Sequence, residues 1–414
     1  ADMEWWKFYA DSTLCSIISR TLANNKNILA AAARVEQSRM LYGIDKANML
    51  PTLDGRAYGN QETNDYYGEK HVTDPEYGLK ASLSWEADLW GKLRWAKRKG
   101  MANYVASIED ERAMRITLIA EAAGSYIRLM ALENELTIVQ RTLATRLEGV
   151  KQAKLRFEGG LTSETVYQQA KVEYAATAAL IPNLERQIQT TKSSIALLMG
   201  EYADTDIHVA NFDIEAMVPD SLSIGIPSQL LQRRPDVRAS EANLKAAMAD
   251  VGIAYTDRFP VLSFTVTGGL ENNALDHFFK SPFTYIAGSI AGPIFDFGRK
   301  QKKYKASIAA YDQARYAYEQ KVLEVFKETS DAVVTYTSIR QTAALRVALR
   351  EAALKYVDLA HLQYRSGSIN YIDVLDAQRR YFDAQIGVTN AVRDEYLALI
   401  ELYKTLGGGW QIRQ

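Results

Sequence analysis

A single cysteine, Cys15, stands in a chain of 414 residues, so no disulfide can form within it. Cys15 lies in the helical pattern Leu14-Cys15-Ser16-Ile17-Ile18, where buried packing is its expected role. Charge of one sign is missing as well. The 49 basic and 50 acidic residues nearly cancel, which leaves no bulk attraction to nucleic acid. No apolar run approaches the roughly 18 residues of a transmembrane helix, so a membrane would have to be met by strands or by a lipid. The sequence opens at Ala1 without a secretory signal pattern, as a mature or trimmed product would. His71, His208, His277 and His361 are scattered without ligand spacing, and no paired cysteines accompany them, so no metal site is expected. A phosphate-cradling glycine loop and a Gly-x-Ser-x-Gly turn are also absent, and nothing selects a carboxylate pair for acid–base work. Neither an enzyme nor a bound cofactor is expected. Prolines number only nine; they are expected at strands and turns, while Ala, Gln, Leu, Lys, Arg and Glu give the rest a helix-forming composition.

What is present is one architecture written twice. Asp88-Leu89-Trp90-Gly91-Lys92 is echoed by Phe295-Asp296-Phe297-Gly298-Arg299. Phe157-Glu158-Gly159-Gly160 is echoed by Tyr364-Arg365-Ser366-Gly367, and Leu198-Met199-Gly200 by Thr405-Leu406-Gly407. The aligned glycines all differ by 207 positions. Side-chain identity between the halves is low, so the repeat preserves geometry and points to a scaffold rather than one active site.

Lys92 to about Phe157 contains no proline and reads as a helix of roughly 66 residues, about 100 Å at 1.5 Å per residue. Arg299 to Tyr364 matches it. There Tyr304, Ile308, Tyr311, Tyr318, Val322, Val325, Thr329, Ala332, Tyr336, Ile339 and Ala343 alternate by fours and threes, a heptad seam interrupted at Arg315. Shorter helices are expected at Asn27–Asn48, Ser163–Leu198, Asp236–Tyr255 and Asn370–Thr405. The long helices stop at glycines suited to a left-handed cap, and Ser163 and Asn370 are natural N-caps for the returning helices. Strands carry the other end. Tyr77 to Leu89 and Leu262 to Leu270 alternate apolar with polar residues at a period of two; weaker partners begin at Pro51-Thr52-Leu53 and at Phe283. The segments are therefore helices over 1–49 and 92–200, a β-hairpin over 50–91, a linker over 201–227, helices over 228–258 and 299–406, a second hairpin over 259–298, and a tail over 407–414.

Four strands per chain cannot close a membrane barrel, which needs about eight. Oligomerisation follows: a dimer would give eight and a trimer twelve, and the arithmetic does not choose. Trp85, Trp90, Trp95, Phe295 and Phe297 cluster at the strand-to-helix junctions as interfacial aromatics do. Lys92, Arg94, Lys97, Arg98 and Lys99 follow, and again Arg299, Lys300, Lys302, Lys303 and Lys305. Cations at a helix N-terminus oppose its dipole, and lipid phosphates are the expected offset.

At this point the residues resemble a family. Trp6-Lys7-Phe8 with Asp11 and Leu14, Leu22-Ala23-Asn24-Asn25, Leu50-Pro51-Thr52-Leu53 and Trp85 through Arg94 are similar to stretches of the TolC superfamily of outer-membrane efflux proteins. The likeness is greatest to the lipoprotein branch serving tripartite drug exporters of the RND type. Leu231-Gln232-Arg233-Arg234-Pro235-Asp236-Val237 is the most specific match; Leu375-Asp376-Ala377-Gln378 and Tyr403 through Trp410 complete it. The resemblance implies an α+β membrane protein: a long α-helical coiled-coil barrel in the periplasm under a trimeric 12-stranded β-barrel. Residues 201–227 and 407–414 would be equatorial. It further implies an exit duct of a Gram-negative outer membrane, a periplasmic adaptor, an inner-membrane pump, outer-membrane lipids, and a lipidated cysteine upstream of Ala1. It also implies a gate at Tyr364, Arg365, Ile372, Asp373 and Asp376. Three copies of the carboxylates around an axis would need cations or Arg365 to compensate them. Where some members carry an acidic latch, this chain has Val166. Adaptor docking is implied at Gly159, Gly160, Leu161, Thr162 and Ser163 and at Ser366, Gly367 and Ser368. The alternatives are an outlet for type I protein secretion and, from a different class, a coiled-coil structural protein.

Overall fold

The computed structural model describes residues 11–64, 67–68, 72–203, 205, 207 and 231–408. In chain order these form α1 (Ser12–Asn24), α2 (Lys26–Ala47), β1 (Thr52–Asn64), β2 (Val72–Ala87), α3 (Lys92–Glu158), α4 (Glu164–Ala178), α5 (Leu180–Leu198), α6 (Pro235–Thr256), β3 (Val261–Asn272), a 3-10 turn (Leu275–Lys280), β4 (Pro282–Ala291), α7 (Arg299–Arg365) and α8 (Tyr371–Thr405). The expected positions Trp6, Lys7, Phe8, His71, His208 and Trp410, and the linker from residue 208 to 227, lie outside the described residues.

The two proline-free segments are helices of 67 residues each. Val325, Thr329, Ala332, Tyr336 and Ala343 of the expected seam are buried along α7. α2 and α6 also match, at 22 residues each. Their starts, Lys26 and Pro235, differ by 209, whereas those of α3 and α7, Lys92 and Arg299, differ by 207. The single offset read from the glycines therefore holds only beyond the hairpins, and the first hairpin region is two residues longer than the second.

One expected helix is in fact two. The return segment over Ser163–Leu198 breaks at Ala179 into α4 and α5. Pro182 lies in the first turn of α5, not at a strand or turn. Its ring crowds the carbonyl four residues back, at Ala178, and it has no N–H to offer that carbonyl. Cys15 also departs from expectation: it is half-buried because the buried stripe of α1 is Leu14, Ile17, Ile18 and Thr21.

The chain divides into two compact units. One comprises residues 1–31, 111–235 and 322–414, the other 32–110 and 236–321. The first unit is helical. Tyr126, Leu129, Ile195, Met199, Tyr396, Leu399 and Leu402 are almost wholly buried in its core. Several buried polar groups join its segments. Asp11 caps α1 through the N–H groups of Thr13 (2.8 Å) and Leu14 (3.1 Å) and accepts from the Tyr126 hydroxyl at 2.6 Å. Asn25 accepts from the Asn27 N–H at 2.9 Å and donates to the Leu198 carbonyl at 2.8 Å. Arg234, from the Arg-Arg-Pro-Asp segment, reaches Glu328 at 2.7 Å and the Thr405 carbonyl at 3.3 Å. Residues 198 and 405 are 207 apart, so the two connections grip corresponding carbonyls.

The second unit holds one antiparallel sheet in the order β1-β2-β3-β4. Leu53 faces Leu83, Leu83 faces Val266, and Val266 faces Ile286. This row stays uncovered, with exposures of 73%, 43%, 40% and 76%. Trp85 beside Phe264 and Leu262 beside Ile290 extend the apolar face. β1 and β4 alternate poorly by themselves, and register is what aligns their apolar residues with those of β2 and β3. The opposite face is polar and cross-linked: Lys80 to Glu271 at 2.7 Å, the Tyr58 hydroxyl to Glu76 at 2.8 Å, Ser82 to Thr267 at 2.9 Å and Ser263 to Ser289 at 2.7 Å.

Candidate functional site

The two helical tips are built alike. At the first, the N–H groups of Gly159, Gly160 and Leu161 donate to the carbonyls of Leu155, Phe157 and Arg156 at 3.0, 2.9 and 2.8 Å. At the second, Ser366, Gly367 and Ser368 donate to Leu362, Tyr364 and Gln363 at 3.1, 3.1 and 2.9 Å. Every donor and acceptor is shifted by 207. Gly160 and Gly367 take φ of 70° and 77°, the left-handed conformation that closes such a cap. Gly159, Gly160, Leu161, Ser163, Ser366, Gly367 and Ser368 are exposed and Thr162 is half-buried. Ser163 occupies the N-cap of α4, but its side chain makes no cap bond.

The expected gate residues do not form one group. Ile372, Asp373 and Asp376 of α8 line a cleft of about 720 Å³ together with Glu164, Gln168 and Glu173 of α4. This cleft brings the start of α8 to the return helix of the first tip. Tyr364 is turned elsewhere: its ring lies 5.3 Å from that of Tyr371 and packs on Ala360, Val374 and Ala377. Arg365 and Ile372 are exposed. Asp373 caps its own helix, accepting from the Asn370 N–H at 3.0 Å. Asp376 is compensated by Arg380 at 2.7 Å and by Arg379, not by Arg365. Those hydrogen bonds, from Arg380 first and then Arg379, hold its carboxyl below the usual carboxylate range. The i,i+3 and i,i+4 spacing makes this local pairing possible.

Sequence reasoning missed the cross-links behind the cleft. Arg146 of α3, almost fully buried, pairs with Glu173 at 3.0 Å, donates to the Glu173 carbonyl at 2.8 Å and to the Thr177 hydroxyl, and sits 5.4 Å from the Phe382 ring. Arg379 reaches Glu173 from α8 at 3.8 Å. Neither Arg146 nor Glu173 has an oppositely charged residue three or four positions away, and that lack of a local partner was the available signal. Val166 is half-buried on α4, and Glu173, two turns further along α4, makes the link to α8.

At the strand-to-helix junctions four of the five expected aromatics are exposed. Trp85 stacks on Phe264 at 6.1 Å and donates to the Met49 carbonyl at 3.1 Å. Trp90 lies 4.8 Å from Phe259 and donates to the Pro260 carbonyl at 2.7 Å. Phe295 and Phe297 pair at 4.6 Å. Trp95 is different: its ring fills the space at Gly252 of α6 and belongs to helix packing. The offset to the helix-start cations is also internal. Asp88 accepts from the Leu93 and Arg94 N–H groups, both at 2.9 Å, and Asp296 from Gly298 and Lys300, both at 3.0 Å. Asp257 gathers Lys303 at 3.0 Å and Lys92 at 3.5 Å. Burial works against its charge, yet Lys303, Lys92 and Lys300 hold its carboxyl below the usual range. Carboxylates of the chain thus offset part of the positive charge at the two helix starts.

A sheet apolar on one face and polar on the other, joined to helices through exposed aromatics, is the pattern of an outer-membrane protein of the β-strand class. The family model for outer membrane efflux protein matches residues 17–201 and 226–408, and the chain belongs to that family. Among relatives, the solvent efflux pump outer membrane protein SrpC of Pseudomonas putida is 29% identical over 99% of this chain and 88% of its own length. The probable outer membrane lipoprotein SilC of Salmonella typhimurium is also 29% identical, over 99% of this chain and 88% of its own. The solved structure of the outer-membrane channel OprN superposes with a TM-score of 0.93 at 28% identity, covering 98% of this chain and 92% of that one.

Proposed function

We propose that three copies close their four-stranded sheets into one 12-stranded barrel, continued by the helices as a periplasmic tunnel, and that the assembly is the passive exit duct of a tripartite efflux system. The observation that carries this is the uncovered apolar row Leu53–Leu83–Val266–Ile286 on a sheet with two unpaired edge strands among the described residues. In water such a row would cost about 25 cal/mol per Å² of apolar surface, and a barrel wall facing lipid both uses the row and pairs the edges. Matching lengths and tip hydrogen bonds support a duplicated unit. The hairpins would be the outer-membrane parts, the helices periplasmic, and residues 201–227 and 407–414 equatorial. Partners would be an adaptor docking at the two tips, an inner-membrane pump of the RND type, and outer-membrane lipids; a lipid on a cysteine upstream of Ala1 would add an anchor. Ile372, Asp373 and Asp376 would gate the periplasmic end, with Tyr364 supporting the tip from behind. SrpC is named for solvent efflux, which favours small molecules over secreted protein as cargo. Light scattering on the detergent-extracted chain, corrected for bound detergent, tests the assembly. Three chains per particle are expected, and a detergent-free monomer or dimer would overturn the reading.

A further inference from the structure

Within the second unit, α3 and α6 line an open groove of about 480 Å³ that the duct does not require. Its size is within the roughly 300–1,000 Å³ of small-molecule sites. Small buried side chains, Ala102 of α3 and Ala242 and Ala249 of α6, form its floor. Trp95, Met101 and Met248 supply a polarisable, adaptable lining. Gly252 lets the Trp95 ring lie against α6, where an added Cβ would come within 2.3 Å of it, and so closes one end.

The charges around this apolar body are unequal. Arg98, Arg238, Lys245 and Glu241 line it. Arg238 is matched by Glu109, which lies behind the wall, 2.9 Å away and only 2% exposed. Lys245 is matched by Glu241 at 2.7 Å. Arg98 lies over the Trp95 ring at 4.6 Å and is otherwise exposed, which leaves the groove an excess of one positive charge at its aromatic end. A guanidinium favours a carboxylate, sulfate or phosphate oxygen pair, and the methionine and alanine walls favour an alkyl or aromatic body.

We propose that this groove binds an amphiphilic monoanion, its apolar body between Met101 and Met248 and its acidic group on Arg98. Such a ligand could be a membrane-derived fatty acid or a transported solute of the same chemistry.

The test is calorimetric titration of the full chain in discs of zwitterionic lipid with three probes: dodecanoate, dodecanol and dodecyltrimethylammonium. Dodecanoate should bind saturably, one per chain, about tenfold or more tighter than the neutral and cationic probes, a difference of about 1.4 kcal/mol. Arg98→Gln should bring the acid to the level of the alcohol, and Met248→Trp, which fills the groove, should abolish binding of the acid. Unchanged melting curves would show that both variants fold. Equal partition of all three probes, or dodecanoate binding unaltered in both variants, would overturn the proposal. Mass spectrometry of lipid extracted from the purified chain separates the two sources: a stoichiometric fatty acid marks a membrane origin, and its absence with dodecanoate binding intact marks a transported one.

Discussion

Phe297 is the only residue other than glycine with positive φ among the described residues, at 54°. A bulky side chain pays for that conformation in strain of about 1–3 kcal/mol, and Phe297 recovers little by burial because it is 84% exposed. Trp90, the residue 207 positions earlier, has no such strain and rests on Phe259. Phe297→Gly should therefore raise the thermal unfolding midpoint, by the equivalent of about 1 kcal/mol once the added freedom of the unfolded glycine is deducted. A lowered midpoint would mean that the ring contributes more than its exposure suggests. Arg234 presents the opposite case. Its guanidinium satisfies Glu328 and the Thr405 carbonyl in a nearly buried place. Arg234→Met should cost about 2–3 kcal/mol in denaturant unfolding, far more than a surface substitution.

At the level of elements, the two tips offer a paired experiment. Gly160 and Gly367 share conformation and hydrogen bonds, so Gly160→Ala and Gly367→Ala should destabilise by similar amounts, about 1 kcal/mol each. Unequal losses by chemical denaturation would show that one tip carries strain the other lacks. Asp373→Ala combined with Asp376→Ala should raise conductance in planar bilayers, since it frees the cap of α8, removes the carboxylate that Arg380 pairs with and leaves Arg379 only Glu173; unchanged conductance would remove these carboxylates from the gate. The long helices, both hairpins and both tips were legible because proline absence, period-two alternation and cap glycines are local signals. The break before Pro182 has a local signal too, the proline itself, set in a segment whose helical composition is otherwise strong. The Arg146–Glu173–Arg379 link was not fully legible: a missing local partner can be read from spacing, but which distant residue supplies one depends on tertiary packing. Asp257 shows the same limit, because only the fold brings Lys92 and Lys303 to it, whereas Asp88 and Asp296 bind groups close by in the chain.

For the molecule as a whole, carboxyls in and around the core contribute to the response to acid. Burial pushes Asp45, Asp110, Glu135 and Glu395 up, opposed in turn by Lys99, Arg34, Arg393 and Arg340. The folded chain holds these protons more tightly than the unfolded chain, so their contribution to stability grows as pH falls from neutral towards the ordinary values of 3.8 for Asp and 4.5 for Glu. Asp257 and Asp376 are held below 3.8. Their contribution is complete above that value and is lost only as pH falls further. The unfolding midpoint should thus be higher at about pH 5 than at about pH 8, and Glu395→Gln should flatten part of the difference. A midpoint that drops on mild acidification would refute this.

The difference between offsets of 209 and 207 has a consequence of its own. Adding one residue inside a helix rotates everything beyond it by about 100°, so a change of length in α3 or α7 would turn every later side chain away from its neighbour. The two-residue discrepancy falls between the starts of α2 and α3, in the stretch that includes the hairpin, where an added pair of residues keeps the pleat's alternation intact. From Lys92 and Arg299 onward the two halves are in rotational phase although their side chains differ. What the two halves share is an angle, and the hairpin stretch is where their counts part.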